Sequence, residues 1–171
     1  MRTITITTFL PISIPTAEAN GLASSFGTTL SSFPQTYLGL PLSSHKISVS
    51  HCLPLISSCD KYISGWQASL LNRVGRLTLC TSVLSALPLH YMSAVNIPKT
   101  IIKATDSRRC AFFWTGDEKC HGSKCLVAWE TVQAPKDKGG LRIKDLELQN
   151  RCLLMKFINK LFTSDDPSWK D

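Results

Sequence analysis

From Ser48 onward the apolar residues of this chain recur at the 3.6-residue period of an α-helix, and helix breakers cut the run into pieces of set length. Val49, Cys52, Leu53, Ile56, Cys59 and Ile63 share one stripe, which stops near Gly65-Trp66. Val74, Leu77, Thr81, Leu84 and Leu87 predict a second helix from Asn72 to Leu87, closed by Pro88. A third starts after Pro98, a favoured first-turn residue, and carries Ile101, Ile102, Thr105, Phe112 and Phe113 up to Gly116. A last helix is expected from Asp145 to Phe162, with Leu146, Leu153, Phe157 and Leu161 as its apolar stripe. Between the last two, residues 117–140 are basic and turn-rich. Leu126–Trp129 and Leu141–Ile143 read as short strands, the second following the Gly139-Gly140 turn.

Before Ser48 the pattern is different. Residues 2–15 read as a strand ended by Pro11 and Pro15, and residues 16–27 as a short helix capped by Thr16 with Gly27 just beyond it. Tyr37-Leu38-Gly39-Leu40-Pro41-Leu42 suits a tight hairpin better than a helix. The expected fold is therefore mainly α, with strands confined to the start. Three regions are expected: 1–46, 47–116 and 117–171.

Hydrophobic residues make up 43% of the chain, enough for a core, while charged residues are only 18%. Soluble domains carry roughly 25%, so some apolar surface is expected to stay uncovered. The net charge of +7 is unevenly placed. Arg2 and Lys46 cancel Glu18 and Asp60, so the whole excess lies after residue 60. A basic surface of this kind suits a polyanion, nucleic acid first, or is simply a solvated face. The cysteines are odd in number and irregularly spaced, which fits reduced thiols in an intracellular protein, nuclear or cytoplasmic. No apolar run approaches the ~20 residues of a membrane span. The Thr-rich start has one Arg and alternates like a strand, so no targeting signal is assigned.

Two segments could hold phosphate. In Asn72-Arg73-Val74-Gly75-Arg76 the Asn is a preferred N-cap, and two arginines plus a glycine in the first turn oppose the helix dipole and helix propensity. An anion on the free N–H groups and guanidinium forks would account for them. The alternative is that Gly75 packs on a neighbouring helix and the arginines meet carboxylates. In Lys136-Asp137-Lys138-Gly139-Gly140-Leu141-Arg142-Ile143-Lys144, basic residues flank a glycine turn. It is either a phosphate-contacting loop or a solvent-facing hairpin; it lacks the Gly-Lys-Ser/Thr ending of a Walker loop. Candidate site residues are thus Asn72, Arg73, Gly75, Arg76, Lys136, Lys138 and Arg142. Cys110, Cys120, His121 and Cys125 raise a zinc site, but Cys110 belongs to an apolar helical stripe and spare thiols fit as well. No metal ligand or cofactor is assigned. Polymerase or nuclease chemistry needs paired carboxylates around two metal ions, and Asp165-Asp166 has no apolar strand to present it. No catalytic residue and no small-molecule substrate is assigned.

Tyr37-Leu38-Gly39-Leu40-Pro41-Leu42 resembles the segment that follows the catalytic palm in non-LTR (LINE-type) retrotransposon reverse transcriptases of the plant kind. The likeness continues in order through Gly65-Trp66, Leu71–Leu77, Ser82–Pro88, Tyr91-Met92, Ile97-Pro98, Phe112-Phe113-Trp114, Trp129, Pro135-Lys136, Gly139-Gly140-Leu141, Asn150 and Leu153-Leu154, covering roughly residues 10–169. Asn72 stands where the family often has Ser, Gln133 where it often has Cys, and Arg142 where it often has Gly. The resemblance implies a palm-end remnant in 1–46, a helical thumb-like bundle in 47–116, and a basic loop with connector helix in 117–171. It implies a truncated fragment without polymerase activity, because the family's Ala-Asp-Asp strand and its Mg²⁺ site would lie upstream of residue 1. Leu10, Phe26 and Tyr37 would then have lost the palm they pack on. The implied partner is an RNA/DNA template-primer duplex held by its phosphate backbone. A stand-alone nucleic-acid-binding module or a small zinc-binding module remains the alternative.

Overall fold

The computed structural model describes residues 8–12, 14–65, 70–117, 119–120 and 124–163, with the side chains of Leu161 and Thr163 left out. Among these residues the fold is mainly helical, with seven α-helices and two small sheets, as the periodicity predicts. The chain divides into two compact units, residues 1–46 and 47–171.

In the first unit, β1 (Thr8–Phe9) and β2 (Thr29–Leu30) pair in parallel, joined through α1 (Thr16–Ser25). The strand predicted over residues 2–15 is therefore only two residues long where it can be described; residues 1–7 and 13 lie outside the described residues. Thr16 is not the cap either. Pro15 precedes the helix, its fixed φ of −58° setting the extended entry, and Thr16 is already helical. α1 buries Ala19 and Ala23, one turn apart. The hairpin is found as predicted: β3 (Gln35–Tyr37) and β4 (Leu40–Leu42) pair antiparallel. Its two-residue turn has Leu38 at φ 50° and Gly39 at φ 78°. Positive φ at both positions is what lets a two-residue loop follow the right-handed twist of the strands.

The second unit opens with a 3₁₀ turn, Val49–Cys52, running into α2 (Leu53–Gly65). The tighter turn shifts the phase of the stripe. Cys52, Leu55, Ile56, Cys59 and Ile63 point inward, whereas Val49 and Leu53, predicted for the core, are exposed. A larger departure follows. The helix predicted over 72–87 is α3 (Arg73–Leu79) followed by a π turn, Cys80–Leu84, in which the Ser85 N–H donates to the Cys80 carbonyl at 3.0 Å. The extra residue in that ring rotates the interior face: Cys80 and Leu84 are fully buried and Val74 is exposed. Residues 85–88 then turn into α4 (Leu89–Met92).

α5 (Lys99–Thr115) matches its prediction and ends at Gly116 in the left-handed region. It packs on α2, on α3 and the π turn, and on the last helix. Two core clusters lie along it. Ile101 and Ile102 join Cys52, Leu55, Ile56, Met92, Ile97 and Leu146; Phe112 and Phe113 join Ile63, Cys80, Leu84, Val132 and Ile143.

The two strands predicted after residue 125 are absent. Trp129 instead begins α6 (Trp129–Gln133), which inserts Val132 into the Phe112 cluster. Leu141 and Arg142 donate their N–H groups to the Val132 and Ala134 carbonyls at 2.8 and 3.0 Å. The segment thus satisfies the open carbonyls at the end of a helix instead of pairing as a hairpin. α7 (Leu146–Thr163) starts at Asp145, whose carboxylate accepts from the Glu147 and Leu148 N–H groups. Leu146 is buried and Leu153 half-buried, whereas Phe157 is exposed and the Leu161 side chain lies outside the described residues. No helix among the described residues is long and apolar enough to cross a membrane.

Candidate nucleic-acid interface

Asn72 does cap α3: its side-chain oxygen accepts from the Gly75 N–H at 2.9 Å. A cap of this type is worth about 1 kcal/mol, and it uses one of the donors that an anion would need. The arginines have settled on a ring. Arg73 lies over Trp114, 5.7 Å from the ring centroid, and Arg76 donates from Nη1 to the Trp114 carbonyl at 3.3 Å. Neither alternative of the sequence reading describes this: the arginines meet an aromatic residue at the end of α5, not carboxylates. A Cβ at Gly75 would touch its own neighbours Leu71 and Asn72, not a second helix.

The Lys136–Lys144 loop is built more firmly than a hairpin tip. Lys136–Lys138 form a 3₁₀ turn that ends at Gly139, φ 80°. Gly140 is buried against α6's end, its N–H on the Pro135 carbonyl, and a Cβ there would fall 1.9 Å from the Ala134 oxygen. Arg142 holds φ 57°, uncommon for a residue with a side chain, fixed by its N–H bond to Ala134. Lys136, Lys138 and Arg142 are all exposed, and their side chains have no ion-pair partner among the described residues. Val132 and Ile143, on either side of this loop, and Leu71 and Leu77, on either side of Asn72–Arg76, belong to the same core cluster. Both candidate segments are thus anchored on one piece of core.

The periodicity argument passed over the two polar residues that do most to join this unit. Arg109 is fully buried on α5. Its guanidinium pairs with Asp106 at 2.5 Å, donates to Ser85 Oγ and to the Lys144 carbonyl at 2.9 Å each, and lies over Trp129. Burial holds the Asp106 carboxyl above its ordinary range, with Arg109 opposing the shift. Asn150, on α7, accepts from the Ile97 N–H at 3.0 Å and donates to the Met92 and Val95 carbonyls at 2.9 Å each. The signal was present in both cases: Arg109 and Asn150 sit one turn after Thr105 and Leu146, on the apolar stripe itself. A charge or amide on a stripe marks a satisfied buried group. Nearer the surface, Arg108 pairs with Asp60 through both guanidinium arms, tying α5 to α2.

Of the zinc candidates, Cys110, Cys120 and Cys125 do converge, with His121 outside the described residues. Among the described residues no group of three or more potential ligands is arranged to hold a metal ion. Asp165-Asp166 also lies outside the described residues.

The chain is similar to a protein of Arabidopsis thaliana described as "Putative ribonuclease H protein", 30% identical over 132 residues. The match covers 76% of this chain but only 21% of that protein, so the chain spans about a fifth of the length of the curated relative it matches. No family model and no solved structure matches it.

Proposed function

We propose that this chain is the thumb-and-connector part of a non-LTR retrotransposon reverse transcriptase, and that it grips a template-primer duplex by the phosphate backbone without polymerising. The observation that carries the reading is the rigid basic loop. Lys136, Lys138 and Arg142 are exposed and unneutralised on a backbone locked against α6, in the part of the chain that holds the whole positive excess. Cations fixed in this way release counterions when they meet a nucleic acid, and that term dominates backbone affinity. The Arabidopsis relative adds support, since its name is that of a protein acting on RNA. Arg73, exposed on the Trp114 ring, is a secondary contact, and Asn72, Gly75 and Arg76 shape the start of α3 behind it. The chain is assigned no catalytic step, because its sequence offers no apolar strand bearing paired carboxylates for two metal ions. It works in the nucleus or cytoplasm, where seven free thiols are at home.

Fluorescence anisotropy with a labelled RNA–DNA duplex at several salt concentrations tests this. Each phosphate contact contributes a slope of about −0.9 in log K against log salt. Lys136→Ala/Lys138→Ala/Arg142→Ala should flatten the slope by roughly 2 to 3. A slope that does not change in the triple variant overturns the assignment of this loop. Template-dependent nucleotide incorporation by the purified chain with Mg²⁺ overturns the non-catalytic part.

A further inference from the structure

Three of the seven cysteines stand together. Cys110 lies on α5, and Cys120 and Cys125 lie in the chain between α5 and α6. The Cys125 and Cys120 sulfurs are 2.7 Å apart, and Cys110 is 3.8 Å from Cys125. All three line a cavity of about 350 Å³, together with Asp106, Trp129 and Glu130. The remaining cysteines are placed otherwise. Cys52, Cys59 and Cys80 are sealed in the core, and Cys152 is exposed on α7.

The spacing separates two chemistries. Four thiolates around zinc, each bonded at about 2.3 Å, keep their sulfurs roughly 3.8 Å apart by tetrahedral geometry. Cys120 and Cys125 are much closer than that. A disulfide needs about 2.05 Å, so this pair is well under an ångström from bonding. The five-residue separation and the cavity beside it give the two sulfurs a high effective concentration and leave them open to a small reagent.

The geometry points to a redox-responsive site in which Cys120 and Cys125 form a reversible disulfide, with Cys110 placed to exchange into it. The oxidant is a small disulfide such as oxidised glutathione. One protein thiolate attacks a glutathione sulfur, breaking the S–S bond and releasing one glutathione thiolate. The second protein thiolate then attacks the mixed disulfide and releases the other. Two protein thiols are oxidised, one glutathione disulfide is reduced to two thiols, and the two protons pass from the protein to the released thiolates. Cys110 can attack Cys125 in turn, moving the bond and freeing Cys120. Burial of Cys110 holds its thiol above its ordinary range, so exchange is slow at neutral pH and the equilibrium is the quantity to measure.

The test uses the full chain carrying Cys152→Ser, equilibrated in glutathione buffers of increasing oxidised fraction, acid-quenched, alkylated and mapped by mass spectrometry. One disulfide, Cys120–Cys125, should form and be undone by excess reduced glutathione, while Cys52, Cys59 and Cys80 stay reduced. Cys120→Ser should redirect pairing to Cys110–Cys125, and Cys125→Ser should abolish pairing among the three. The wild-type map decides the matter by itself if a variant fails to fold. Cys120 and Cys125 remaining reduced, or forming only mixed disulfides with glutathione, overturns the proposal. So does one equivalent of tightly held zinc that keeps all three thiols from reacting.

Discussion

Residues 1–46 and residues 47–171 hold their shape by different means. The first unit buries Ala19, Ala23 and Pro41, and leaves Ile12, Phe26, Tyr37 and Leu38 exposed. Its order comes from turn chemistry: an αL-type hairpin turn, a proline that sets a helix entry, and strands of two or three residues. The second unit buries Leu84, Phe112, Met92 and Leu146 completely, each side chain worth about 1.5–3 kcal/mol of transfer free energy. It then joins its helices with the buried polar residues Arg109 and Asn150. Secondary structure and stability are therefore separable in this chain, and most of the stability lies after Ile47.

Substitutions can break this contrast, and the largest effect is expected at Arg109. Replacing it with Ala leaves a buried carboxylate, a hydroxyl and a carbonyl without their donor, at a cost of about 3–5 kcal/mol read from the denaturant midpoint. Arg109→Lys should recover little, because one ammonium cannot serve three separate acceptors. The deficit should also depend on pH. Burial raises the folded Asp106 carboxyl above its unfolded value, so its penalty is relieved as pH falls through the folded value. The Arg109→Ala variant should therefore lose less stability near pH 4 than at pH 7, and an equal loss at both would show that Asp106 does not carry the penalty.

Asn150→Ala comes next. It removes three buried hydrogen bonds that fasten the Met92–Ile97 segment to α7, and about 3 kcal/mol is expected. Hydrogen exchange should localise part of the effect to the Ile97 amide, and an unprotected Ile97 in the wild-type chain would contradict the bond. Gly140→Ala should cost about 2 kcal/mol, since the new methyl group meets the Ala134 carbonyl and the loop must move. Duplex binding should weaken with it although no charge is removed; unchanged binding would detach the loop's rigidity from its role. The smallest effect belongs to the first unit. Phe26→Ser should shift stability by no more than about 0.5 kcal/mol, and a loss of 2 kcal/mol or more would end the contrast drawn above.

How much of this was legible beforehand follows from what periodicity can detect. The element types after Ser48 were readable wherever a helix kept one period, as in α5 and α7. They were misjudged where the period changed within a helix. Val49, Leu53 and Val74 satisfy an ideal 3.6-residue stripe and are exposed, because a 3₁₀ turn or a π turn resets the phase beside each of them. Leu126–Trp129 reads as a strand by composition, yet a strand needs a partner, and tertiary contact at Val132 favoured a short helix in its place. At the candidate site the Asn72 cap was legible, since capping is local. The docking of Arg73 and Arg76 on Trp114 was not, because it joins residues about 40 positions apart.

The π turn at Cys80–Leu84 bears on how this chain tolerates change. It stores one residue more than a regular helix would need between Leu79 and Ser85. Thr81 and Ser82 are at least partly exposed, so substitutions there should be accepted freely. Deleting either one would let the helix close into a uniform spiral and turn everything after it by about 100°. Ser85 would swing away from Arg109 and Leu84 out of the Phe112 cluster. For this segment, then, length is the constrained quantity and spelling is not: insertions and deletions should be far more damaging than replacements.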